Sequence, residues 1–121
     1  MGDGAAFTNI NSPVINYNGL LMSIDVGNYC HPVFTASSAD PVRTMEQWNI
    51  DANWNFTTPT GYSETLRIPK NAQAATGSDH HMHIIDETHS YVVESWECFK
   101  KPGTDPYTGN FQIISMVKNS L

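Results

Sequence analysis

The segment GSDHHMHIIDETHSYVVESWE, residues 77–97, decides how this chain reads. Two short runs, HHMHIID (80–86) and YVVESWECF (91–99), are rich in β-branched and aromatic residues and are joined by the polar ETHS (87–90). That is the pattern of a β-hairpin. Successive side chains of a strand point to opposite faces, so Asp79, His81, His83 and Ile85 share one face. His80, Met82, Ile84 and Asp86 take the other.

Outward from this hairpin, Asn, Ser, Thr, Gly and Pro recur between short apolar stretches, the punctuation of a sandwich or barrel. GLLMSIDV (19–26) and HPVFTAS (31–37) read as strands flanking the turn-like GNYC, as a hairpin or a corner. DPVRTMEQWNI (40–50) reads as a strand with Val42, Thr44 and Glu46 on one face, or as a short helix through Met45 and Trp48. DANWNFTTPTGYSE (51–64) reads as an exposed loop, ETLRIP (64–69) as a strand, KNAQAATGSD (70–79) as a connection and FQIISMV (111–117) as a last strand. No amphipathic helix of twelve or more residues stands out. The expectation is an all-β chain, a compact jelly-roll or cupin-like β-sandwich, forming a single domain over residues 1–121.

Composition narrows the partners. Six Lys and Arg against twelve Asp and Glu give a net charge of −6, with no basic stripe, so nucleic acid and polyanionic glycans lack their electrostatic driving force. No apolar run is long enough to span a membrane, and the opening residues lack the basic and apolar regions of a leader. Gly-rich phosphate loops, a Gly-x-Ser-x-Gly elbow and Cys-x-x-Cys are absent from the sequence, which argues against nucleotide, serine-hydrolase and thioredoxin-like chemistry. Cys30 and Cys98 allow a bridge, two buried thiols or metal ligation.

Four of the five histidines fall within ten positions. Imidazoles two residues apart on one strand face stand about 6.5–7 Å apart at the backbone, close enough to converge on one ion. His81 and His83 are therefore the expected ligands. His31, at the start of another strand, is the favoured third, ahead of Asp79, Glu87, Glu94 and His89. Copper is expected first, with zinc or iron as alternatives. A histidine-rich solvated strand with no metal is the competing reading.

Around this core, Glu94 shares a strand face with Trp96, where an apolar neighbour raises a carboxyl pKa, and Asp79 lies beside His81. Glu94 and Asp79 are the expected catalytic carboxylates, tuning an imidazole or acting as an acid pair, with Asp86 as a further candidate. Trp54, Phe56, Tyr62 and Tyr107 lie in or beside polar stretches and are the expected sugar-stacking rings. Trp48 and Trp96 are expected in the core.

His81-Met-His83 followed after three residues by Glu87 resembles the first metal-binding motif of the cupins, without the glycine that follows the glutamate and without the second motif's histidine. HPVFTASSADPV, IPKNAQAATGSDHHMHIID and ESWE together resemble secreted bacterial β-rich proteins. These resemblances imply an extracytoplasmic metalloprotein, and the second implies a shortened chain that self-associates as a homodimer. The resulting expectation is a secreted, copper-dependent protein that cleaves a neutral polysaccharide such as cellulose oxidatively. The alternative is a non-catalytic carbohydrate-binding module that uses the loop aromatics.

Overall fold

The computed structural model describes residues 30–121 and, of the first 29, only the backbone of two strands. Those two, β1 (Val14–Tyr17) and β2 (Leu20–Ser23), pair with each other as a separate hairpin. The remaining strands are β3 (Val33–Ala36), β4 (Val42–Ile50), β5 (Phe56–Arg67), β6 (Met82–Asp86), β7 (Tyr91–Trp96), β8 (Phe99–Lys100), β9 (Phe111–Ile113) and β10 (Ser115–Ser120). They form two four-stranded sheets, ordered β10-β7-β6-β3 and β5-β4-β9-β8. None of the described residues is helical.

The all-β expectation therefore holds. A jelly-roll is built from antiparallel pairs, whereas here β3 pairs parallel with β6 and β4 pairs parallel with β9, so both sheets are mixed. Long connections make this arrangement accessible, since a parallel pair needs a crossover of a dozen or more residues.

One core joins the sheets. Met45 of β4, Leu66 of β5, Met82 and Ile84 of β6, Val93 of β7, Phe111 and Ile113 of β9 and Met116 of β10 form a single buried cluster with Cys98. Strand alternation explains its membership: Met82, Ile84 and Asp86 are fully buried while His83 and Ile85, on the other face, are only partly buried. Cys30 and Cys98 are free thiols, and burial pushes the Cys98 thiol up to about 12, which leaves it inert.

Several elements depart from the sequence expectation. β2 pairs with β1 and β3 with β6, so GLLM and HPVF are not the arms of one hairpin; residues 24–29 between them lie outside the described residues. The segment 51–64 is a loop only as far as Asn55. From Phe56 it continues as β5, because β4 runs nine residues and offers a long antiparallel partner. β5 is an edge strand whose pairing with β4 is irregular around Pro59, and Gly61 at φ 92° lies within that irregularity. The expected last strand, 111–117, divides at Ile114 into β9 and β10, which belong to opposite sheets. Trp48 and Trp96 are half-buried and lie outside the core cluster.

Asp86 locks the hairpin turn and ties the sheets together. Its buried carboxylate accepts the Arg67 N–H of β5 at 2.8 Å, the Thr88 N–H at 3.0 Å and the His89 N–H at 3.3 Å, and it meets His89 Nδ1 at 2.6 Å. Burial alone would raise its pKa. Hydrogen bonds from Thr88, Arg67 and His89 outweigh that and bring the carboxyl from the ordinary 3.8 down to about 2. A depressed carboxyl stabilises the fold above its unfolded pKa. About 2 kcal/mol is therefore expected to be lost as pH falls from about 4 to 2. Chemical denaturation across that range checks this, and Asp86→Asn should flatten the acid limb; an unchanged limb would assign it elsewhere.

Candidate metal centre

Register builds this site. In the parallel pair β3–β6, Val33 lies beside His83, and the same register carried two residues back sets His31 beside His81. Antiparallel pairing sets His83 opposite Glu94, and Glu94 opposite Val117. Carried two residues further, it sets His81 beside Trp96, which pairs with Ser115. Two rows of side chains thus cross the face of this sheet that lies away from the core.

The imidazoles are in contact. His31 stacks on His81 with ring centroids 3.8 Å apart and planes at 19°, and His31 Nδ1 stands 3.0 Å from His83 Nε2. One ligand nitrogen from each of the three lies within 4.8 Å of the others, so the group could hold a metal ion. Nitrogens bound tetrahedrally at about 2.0–2.1 Å stand about 3.3 Å apart, so small side-chain shifts would complete the coordination.

Protonation suits ligation. Burial pushes His83 below the ordinary imidazole pKa, Glu94 pulls it back, and His31 and His81 depress it further; the net shift is downward. His83 is accordingly neutral at pH 7, the form that carries a lone pair. Its Nδ1 lies 3.4 Å from Glu94 Oε1. With its proton on Nδ1, the side toward Glu94, His83 keeps its Nε2 lone pair facing His31, and closing the 3.4 Å gap to Glu94 would complete a carboxylate–histidine–metal triad.

The histidines open on a cleft of about 270 Å3 whose walls include Glu94, Trp96 and Val117. An ion held by these three histidines would keep a fourth position open toward the cleft, whereas structural zinc sites are closed by four protein ligands.

Other sequence candidates fall elsewhere. Asp79 reaches His81 only at 4.0 Å, from the half-exposed rim of a neighbouring cavity. Asp86 is buried on the opposite face and engaged by its hairpin, so it supplies no second carboxylate here. His89 is held by Asp86, and Glu87 lies in the turn; neither joins the three histidines. Trp54 and Phe56 come together with Phe99 around a depression of about 320 Å3. Tyr62 instead extends along β5, donating its hydroxyl to Glu64 at 2.7 Å, and Tyr107 sits in the 101–110 loop with Lys100 5.6 Å over its ring.

Two rings contribute where the sequence reading did not put them: Trp96, read as Glu94's neighbour but expected in the core, and Phe99. Trp96 walls the histidine cleft and meets Trp54 edge to face, with centroids 5.7 Å apart. Phe99 joins Phe56 at 5.7 Å. The shared parity of Glu94 and Trp96 was a usable signal for the first. Comparison with protein-family models, curated proteins and solved structures gave no match for this chain.

Proposed function

We propose that this chain is a copper protein acting oxidatively on a polysaccharide without negative charge, with His31, His81 and His83 as ligands. The convergence of three imidazole nitrogens within 4.8 Å beside a cleft carries this reading. Copper leads because the donor set is all imidazole and Cu2+ heads the stability order at such sites. The glycan is supported by Trp96 on the cleft wall, by Trp54 against it, by the separate Phe56–Phe99 pair and by the net charge of −6, which disfavours polyanions. Export is supported by the resemblance to secreted bacterial proteins. In this role Glu94 orients His83, and the indole of Trp96 offers an apolar face to a sugar beside the ion.

The test is untagged protein loaded with copper or zinc, assayed for bound metal, for its paramagnetic resonance spectrum and for release of oxidised ends from cellulose with a reductant to prime the copper and dioxygen or peroxide as the oxidant. One copper per chain with nitrogen hyperfine structure and oxidised products upholds the proposal. Retention of zinc with simple hydrolysis would move the chemistry to a metal-bound water of lowered pKa. Glycan binding without any metal would leave a carbohydrate-binding module, a reading favoured by the exposed Trp54 and the Phe56–Phe99 pair, which do not depend on the histidines.

A further inference from the structure

Trp96 also borders a second cavity of about 470 Å3, lined by Trp54, Ser78, Asp79, His80, Trp96 and Glu97. Trp96 belongs to both cavities, so an extended ligand could pass from one to the other.

Backbone conformation shapes this cavity. Trp54 (φ 65°), His80 (φ 43°) and Glu97 (φ 53°) all occupy the left-handed region that side chains rarely adopt. Such geometry persists only where surrounding structure over-determines it. At Trp54 the restraint is a tight turn: its N–H donates to the Asp51 carbonyl at 3.1 Å, and the Asp51 carboxylate accepts the N–H groups of Asn53 and Asn55 at 2.8 and 3.0 Å. At the other wall, Glu97 N–H donates to the Asp79 carbonyl at 2.9 Å and Cys98 N–H to the His80 carbonyl at 3.1 Å. The turn holds Trp54 58% exposed, at 86° to Trp96, so that the two indoles form a corner.

Charge decides what fits that corner. Asp79 and Glu97 supply two carboxylates, and no Lys or Arg is among the lining residues. His80 is turned to Glu97 at 3.4 Å and packs on Phe99 at 4.4 Å. Anions are therefore repelled. Indole faces attract ammonium groups through the ring quadrupole, and neighbouring carboxylates neutralise the charge. An amino sugar meets both demands, with its apolar face on an indole and its ammonium toward a carboxylate.

We infer that this cavity binds an organic ammonium group and, resting on the glycan reading above, that the polymer served by this chain carries free amines, as polyglucosamine does. The test is calorimetry at constant ionic strength with tetramethylammonium, a glucosamine hexamer, its N-acetylated form and a glucose hexamer, on wild type and Trp54→Ala. The glucosamine hexamer should bind about tenfold more tightly than either neutral hexamer, and Trp54→Ala should remove that preference. Asp79→Asn, which retains shape, should weaken the same preference. Equal affinity for all three hexamers overturns the inference, as does a preference that survives Trp54→Ala. Binding of tetramethylammonium alone upholds the ammonium cavity and overturns its glycan. Metal content measured on the same samples should be unchanged in Trp54→Ala, which separates failure here from failure of the histidine centre.

Discussion

His83→Ala is expected to abolish stoichiometric metal uptake. His83 has Nε2 3.0 Å from His31 Nδ1 and Nδ1 facing Glu94 at 3.4 Å, so its loss removes one ligand together with that ligand's carboxylate neighbour on the cleft wall. Outer partners of metal-bound histidines are worth about 10–100-fold in affinity. Glu94→Gln should therefore weaken binding within that range, and His83→Ala should exceed it, to the point that elemental analysis after dialysis finds no ion. His83 lies outside the apolar core cluster, so the variant should remain folded by circular dichroism. Full metal retention in His83→Ala would place the ion elsewhere and end the three-histidine reading. Uptake should also fall at acid pH, because protonated imidazole has no lone pair to give.

Arg43→Ala should be the most destabilising substitution outside the apolar core. Arg43 is 1% exposed, and its guanidinium donates from Nε to the Gly109 carbonyl at 2.7 Å, from Nη1 to Pro69 at 3.2 Å and from Nη2 to Pro106 at 3.2 Å. It also lies 4.3 Å over the Phe111 ring. Burial lowers its pKa, and Asp105 acts against that shift. Truncation leaves these carbonyls without their donor and a cavity beside Phe111, for an expected loss of about 3–5 kcal/mol. Urea denaturation measures it directly. Arg43→Lys keeps the charge but loses the planar fork, and should recover only part of the difference. The 101–110 loop, anchored at Pro106 and Gly109, should become protease-sensitive in both variants. A loss below about 1 kcal/mol would mean that water replaces the guanidinium at these carbonyls.

Much of the fold was legible because strand formation and side-chain alternation are local. The hairpin of β6 and β7 through ETHS, and the shared face of His81 and His83, follow from period two alone. The same rule put Val42, Thr44 and Glu46 on one face if 40–50 were a strand rather than a short helix, and β4 is that strand, with Met45 on its buried face. It also set Arg43 inward, where composition gives no reason to expect a charge. Only the carbonyls of Pro69, Pro106 and Gly109, distant in sequence, make that position tolerable.

By itself, the sequence determined an all-β chain, a central hairpin, and a pair of histidines on one side of it. Tertiary structure decided which residues complete the site. His31 reaches His83 across 52 positions because β3 lies parallel to β6, a register set by closure of the core around Phe34, Met82 and Ile84. Trp54 meets Trp96 because a strained turn before β5 presents its ring to the end of β7. Alternation fixes which face a side chain takes, but the choice of neighbouring strand depends on how the whole apolar surface is buried, and no short window of sequence contains that information.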